Sequence, residues 1–187
     1  MDVKWQLEGM KQDEQSITQD WQLMQRLIGE VVIQEVKNVP TNYGYLTEIF
    51  RIDWHLDQFG VDQVFQSVLE PGGISAWHAH AVTTDRLFVS HGQIRIVLYD
   101  SREDSPTFGV VNEFRFGTVR PAMVIVPAMV WHGIENISSK PSTIINVVDH
   151  AYNYEQPDHY RLPMDTPQIP YQFRMNDKGD ALDGIID

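Results

Sequence analysis

Apolar residues first recur along this chain with a helical step. Between Asp20 and Val32, the residues Trp21, Leu23, Met24, Leu27, Ile28 and Val31 are linked by steps of three and four, as in 21/24/28/31 and 23/27/31. That spacing gathers them on one stripe and predicts a helix ended by Gly29 and the β-branched run after it. From Val31 the texture changes to short runs of β-branched and aromatic residues, each closed by Gly, Pro, Asn or Asp, which predicts strands. The runs cover 31–36, 45–54, 63–69, 75–80, 85–90, 93–99, 110–116, 123–126, 133–136 and 143–148, with turns at 40–44, 71–73, 91–92, 101–109, 117–121 and 138–141. Closely spaced strands with no helix between them predict an all-β sandwich, jelly roll or closed barrel. After Asp149 the chain turns rich in Tyr, Pro and Asp, and Pro157, Pro163, Pro167 and Pro170 predict an irregular arm. The closing stretch NDKGDALDGIID predicts a mobile acidic tail. The expected organisation is one domain over 1–187: a helical segment over 1–30, a barrel over 31–149, the arm over 150–175 and the tail over 176–187.

Composition narrows the partners. The 187 residues are 42% apolar, enough for one well-filled core. With 14 Lys and Arg against 26 Asp and Glu the formal charge is −12, which repels a phosphate backbone and disfavours nucleic acid as a partner. The absence of cysteine removes disulfides, thiolate metal sites and cysteine nucleophiles together. The polar, acidic opening MDVKWQLEGM does not read as an export signal, and apolar runs such as Ala122–Val126 fall far short of the ~20 residues that cross a bilayer. No membrane partner and a cytoplasmic location are therefore expected.

The chemistry concentrates in WHAH, TTDRL and VWHGIEN. Residues two apart on a strand face the same way, so His78 and His80 point into one cavity. A short connection then returns the chain, and Asp85 shares a face with Leu87 and Val89, which allows it to join the two histidines. His132 reaches them only if the barrel closes. Three imidazoles and a carboxylate at His78, His80, Asp85 and His132 form an N₃O donor set suited to a divalent transition metal: Fe, Mn, Ni, Cu or Zn. Single histidines such as His55, His91, His150 and His159 are expected to be ordinary packed or solvated residues. Five arginines, Arg86, Arg95, Arg102, Arg115 and Arg120, occupy 86–120 without a lysine. Their forks suit phosphates and carboxylates, which makes Arg95 a candidate substrate contact. Alternation with Ile94 and Ile96 equally predicts an outward Arg95, and it turns Trp77 and Trp131 to the face opposite the histidines.

These residues also carry a family likeness. The spacing from Gly72 through His78, His80 and Asp85 to Gly92 resembles the first motif of the cupin superfamily, with Asp in place of the usual Glu. Pro127, His132 and Asn136 resemble the second, with Pro121 and Met129 where glycines are common. The resemblance implies a cupin jelly-roll barrel, the double-stranded β-helix. More narrowly, GYLTEIF, His78 after an apolar strand, LYDSREDSPTFG, IVPAMVWHG and PMDTPQIPY follow in order the pattern of the dTDP-4-dehydrorhamnose 3,5-epimerase family. That likeness implies a dimeric enzyme acting on a small-molecule nucleotide sugar, with His78 as catalytic base, His132 as a second catalytic histidine in the pocket and Glu48 as a substrate contact. Position by position, the family's arginine before the base is Ser75, its glutamine is His80, its lysine falls near Asp85, its tyrosine near Val148, and its early arginine is Tyr43; Asp177 is the candidate for its base-orienting aspartate.

Three functions follow as expectations: an isomerase or epimerase acting on a sugar nucleotide, a metal-dependent oxygenase or lyase, and a non-catalytic sugar- or metabolite-binding protein. The first two compete for His78, because a nitrogen committed to a metal has no lone pair for a proton.

Overall fold

Strand β7 (Gln93–Asp100) shows how this sequence builds its sheets. Its alternate residues Ile94, Ile96 and Leu98 are wholly buried on one face, and Val97 is wholly buried on the other. A strand buried on both faces must be covered twice. The inner cover is the opposite sheet and the outer one is the C-terminal arm.

In the computed structural model, which describes residues 5, 7–20, 24–58 and 60–173, the other strands are β1 (Val32–Glu35), β2 (Val39–Thr41), β3 (Gly44–Leu46), β4 (Gln63–Leu69), β5 (Ile74–Ala79), β6 (Asp85–His91), β8 (Val111–Gly117), β9 (Ala122–Val126), β10 (Val130–Asn136), β11 (Ser142–Val148) and β12 (Tyr160–Arg161). One five-stranded sheet has the order β1-β9-β6-β11-β4, the other β12-β5-β10-β7-β8, and β2 and β3 form a separate hairpin. Every pairing is antiparallel. Phe114, Phe116, Val124 and Val126 join the inner residues of β7 in one buried cluster between the sheets, at the β1 and β8 edges. Toward β4 and β5 this packing gives way to a cavity. The architecture is the expected cupin jelly roll. Among the described residues no helix is long and apolar enough to cross a membrane.

The N-terminal helix is corrected. Residues 24–28 are irregular, 29–30 form a turn and β1 follows; Trp21 and Leu23 lie outside the described residues. The backbone here is held by long-range partners in place of helical ones. Ile28 N–H donates to Asn112 Oδ1 at 2.9 Å, Gly29 N–H to Thr107 Oγ1 at 2.8 Å, and Asn112 Nδ2 donates to the Arg26 carbonyl at 2.9 Å. Tertiary contacts of this kind override a periodic pattern. Only Ile28 and Val31 of the described stripe are buried, while Met24 and Leu27 are exposed.

The predicted strand over 45–54 is also corrected. It stops at Leu46, and the chain crosses the outer face of the first sheet, with one 3₁₀ turn at Ile52–Trp54. Ile49, Phe50 and Leu56 pack there on Phe88, Met123 and Ile125. The segment is fastened by the wholly buried Arg86, whose Nε and Nη2 reach the two Asp57 oxygens at 2.6 and 2.8 Å. The expected arm over 150–175 is irregular as far as it is described, apart from β12, which pairs with β5. Its residues Ile169, Tyr171 and Phe173 pack with Trp77 and Val97 on the outer face of the second sheet. Gly133 permits this approach, since a Cβ there would lie 2.6 Å from Ala76 Cβ and 2.9 Å from Phe173 Cζ. The predicted tail lies outside the described residues.

Gly92 turns β6 into β7 at φ +75°, and a Cβ there would sit 2.1 Å from Ser142 Oγ. Gly92→Ala combines a strained backbone with overpacking and is expected to lower unfolding stability by roughly 1–3 kcal/mol. Urea unfolding checks this; an unchanged midpoint would contradict the tight turn.

Candidate functional site

Both sheets contribute to one cavity of about 610 Å³. His78 lies on β5 and His80 just beyond it, Asp85 opens β6, and His132 lies on β10; all four line the cavity. The turn 81–84 carries the chain from one sheet to the other, so two histidines and the aspartate close in sequence arrive on facing walls. His132 is set by the pairing of β10 with β5, in which it stands directly opposite His78. Their ring centroids are 4.3 Å apart, edge to face.

Asp85 is the centre of the group. Its Oδ2 lies 3.2 Å from His80 Nε2 and 3.3 Å from His132 Nε2, and its Oδ1 accepts from Asn146 Nδ2 at 2.6 Å. Burial penalises its charge, yet the hydrogen bond from His80 and the proximity of His132 hold its carboxyl below the ordinary range. The far side of each ring sets its tautomer. His80 Nδ1 meets the Asp158 carbonyl and His132 Nδ1 meets the Val130 carbonyl. A carbonyl only accepts, so both Nδ1 atoms carry hydrogen. In neutral rings the two Nε2 lone pairs then face the same carboxylate oxygen with no hydrogen between them. Protons or a cation must relieve that repulsion. His80 responds as a proton acceptor: burial pushes its pKa down, but Asp85 outweighs burial and raises it. His132 responds oppositely, with burial keeping it neutral.

The donor atoms of His80, Asp85 and His132 all lie within 4.8 Å of one another, and the backbone carbonyls behind both rings supply the orientation that metal-binding imidazoles use. These residues fit a divalent transition metal. His78 is not part of this convergence. Its Nδ1 is buried without a hydrogen-bond partner among the described residues, and burial, reinforced by His132 and His159, pushes its pKa down to about 2. It is a neutral imidazole beside the group.

The arm completes the wall with residues that sequence reasoning missed. His159 enters the cavity, its ring centroid 5.0 Å from that of His80 and 5.3 Å from that of His78, and Arg161 lines the same side. The segment is latched by Asp158. Its Oδ1 accepts from Ala81 N–H at 2.6 Å, and its Oδ2 from Val82 N–H and Thr83 N–H at 3.0 Å and Thr83 Oγ1 at 2.9 Å. Although burial works the other way, those donors hold the Asp158 carboxyl below the ordinary carboxylate value. The only sequence signal was the alternation of His159 and Arg161, which is readable only once 160–161 is known to pair with β5.

Other candidates stand elsewhere. Glu48 is exposed on the segment crossing the first sheet and pairs with Arg51 at 2.9 Å. Arg95 lies outside the cavity, bound to Glu135 at 2.8 Å and close to Glu113 at 3.5 Å. Glu113 in turn accepts from Tyr171 of the arm at 2.7 Å, so Arg95 belongs to the ion-pair network under the arm. Trp77 and Trp131 face the arm, as alternation predicts. Asp177 lies outside the described residues.

Known proteins resemble this chain in sequence and in fold. The sequence profile of dTDP-4-dehydrorhamnose 3,5-epimerase matches residues 25–185. The chain is 34% identical over 139 residues to a probable low-salt glycan biosynthesis epimerase of Haloferax volcanii, covering 74% of this chain and 89% of that protein. It is 33% identical over 148 residues to a spore coat polysaccharide biosynthesis protein of Bacillus subtilis, covering 79% and 97%. The crystal structure of a dTDP sugar isomerase from Desulfovibrio desulfuricans superimposes with a TM-score of 0.74 at 28% identity, covering 84% of this chain and 97% of that one.

Asp158→Ala removes the acceptor for all four contacts to 81–83. Amide exchange of that turn, corrected for intrinsic rates, should quicken by roughly tenfold or more. In the unmodified protein the same protection is present above pH ~4 and is lost as pH falls through the lowered Asp158 value, because the latch acts only while ionised. Protection indifferent to both changes would contradict the latch.

Proposed function

The chain belongs to the dTDP-4-dehydrorhamnose 3,5-epimerase family, and from that premise we propose that it epimerises the sugar of a nucleotide-bound 4-keto sugar, with His78 as the base. The observation that carries this reading is the place of His78, on the wall of a cavity of about 610 Å³ and directly opposite His132, with burial favouring its neutral form. Abstraction breaks a C–H bond beside the ketone. The proton goes to His78, the electron pair becomes the enolate, a proton from solvent water on the other face of the same carbon inverts the centre, and the proton on His78 returns to solvent.

An imidazole with so low a pKa is a weak base, so the enolate oxygen needs strong stabilisation. The family's lysine and tyrosine fall near Asp85 and near Val148 in this chain. We propose that His80, Asp85 and His132 hold a divalent transition metal, Fe, Mn, Ni, Cu or Zn. Such an ion supplies Lewis-acid polarisation of a carbonyl when bound. Because the three-residue set leaves His78 out, the ion and the base need not share a residue. In this reading Asp158 and Val130 orient the two rings through their carbonyls, Asn146 holds Asp85, and His78 keeps its lone pair. The family reading carries a homodimer with it, which light scattering in solution checks.

A second reading rests on the same three donors. Two imidazoles and one carboxylate also suit an Fe(II) oxygenase, which would consume dioxygen with a substrate where an epimerase would not.

Incubation with dTDP-4-keto-6-deoxyglucose in D₂O should place deuterium beside the ketone, and His78→Asn should slow exchange at least ~100-fold with its melting temperature kept. Substrate that binds and returns undeuterated would overturn the epimerase, and stoichiometric dioxygen uptake by the Fe(II)-loaded protein would favour the oxygenase.

Elemental analysis after loading with Zn or Mn should find about one ion per chain, falling at least ~10-fold in folded His80→Ala. Full occupancy in that variant would remove His80 from the ligand set.

A further inference from the structure

The cavity wall is nearly devoid of permanent positive charge. Among the described residues that line it, Arg161 is the only lysine or arginine, in a chain of formal charge −12. A diphosphate entering this acidic protein therefore meets one guanidinium. The other arginines from 51 to 120 are already taken. Arg51, Arg86, Arg95, Arg102, Arg115 and Arg120 each pair with a carboxylate of the chain. Arg161 has no such partner among the described residues and is exposed.

Its place follows from β12. Arg161 pairs with His78 across β12 and β5, so the two side chains share the cavity face. His78 is only partly exposed while Arg161 is open to solvent, so Arg161 is the more accessible of the pair. The latch at Asp158, three residues earlier, fastens the same segment to the 81–83 turn. A planar fork with free donors suits two phosphate oxygens at once. Tyr152 lies on the cavity wall and is half-exposed, offering a ring face to a base beyond the phosphates.

We propose that Arg161 is the anion anchor that grips the diphosphate of the nucleotide sugar and thereby delivers the sugar to His78. The assignment rests on the sugar-nucleotide reading above and adds to it a residue from the arm, where the barrel positions matching the family's arginines hold Tyr43 and Ser75.

The test titrates thymidine diphosphate and uncharged thymidine into the unmodified protein, Arg161→Ala and Arg161→Lys by calorimetry, with turnover of the 4-keto sugar nucleotide measured alongside. The anchor predicts at least ~10-fold weaker thymidine diphosphate binding in Arg161→Ala, partial recovery in Arg161→Lys, unchanged thymidine binding and a rise in KM larger than any fall in kcat. Circular dichroism confirms that the variants fold. Equal diphosphate binding by all three proteins overturns the anchor. So does a loss confined to kcat, which would assign the guanidinium to the reacting oxygen. If the unmodified protein binds neither thymidine diphosphate nor the nucleotide sugar, the epimerase reading falls and the anchor with it; binding by the unmodified protein that survives in Arg161→Ala removes the anchor alone.

Discussion

A carboxylate buried between two sheets has to be compensated, and Asp85, 2% exposed, sets the terms for everything around it. Its partners come from both sides of the barrel: Asn146 from its own sheet, His80 and His132 from the facing one. The contacts with the two histidines do not exist until the sheets pack. The rear hydrogen bonds of the two rings then decide the chemistry, since carbonyls behind Nδ1 leave Nε2 lone pairs turned toward an anion. A neutral protein interior does not relieve that arrangement unaided, and a proton or a metal ion does.

The arm is the second dependence. Its aromatic residues cover Trp77 and Val97 on the outside of the second sheet, while its residues 158–161 line the inside of the cavity. One segment thus seals the outer face and builds the wall beside His78. The ion pairs of Arg95 with Glu135 and Glu113 lie beneath it and end on Tyr171, which explains why an arginine on a central strand is half-buried without touching the cavity.

Local pattern was a good guide for several strands whose neighbours lay in a sheet. β4 runs over Gln63–Leu69 as alternation predicts, and β6 and β7 differ from expectation by a residue at one end. It failed where side chains from distant loops supplied hydrogen bonds. The helical spacing around Ile28 lost to Asn112 and Thr107, and the β-branched run after Leu46 lost to the outer face of Phe88 and Met123. Periodicity measures which face of an element is apolar; it does not say what will sit against the backbone.

The sequence by itself determined the all-β texture, the family through the motifs that resemble it, and the shared cavity of His78, His80 and Asp85, because strand alternation and a short turn fix that last relation within about a dozen residues. Only the tertiary structure decided that His132 stands opposite His78, that three donors and not four converge, and that His159 and Arg161 reach the same wall from the arm. Those relations depend on strand register and on contacts between residues separated by about fifty to eighty positions, and a one-residue slip in register would turn the same side chains outward.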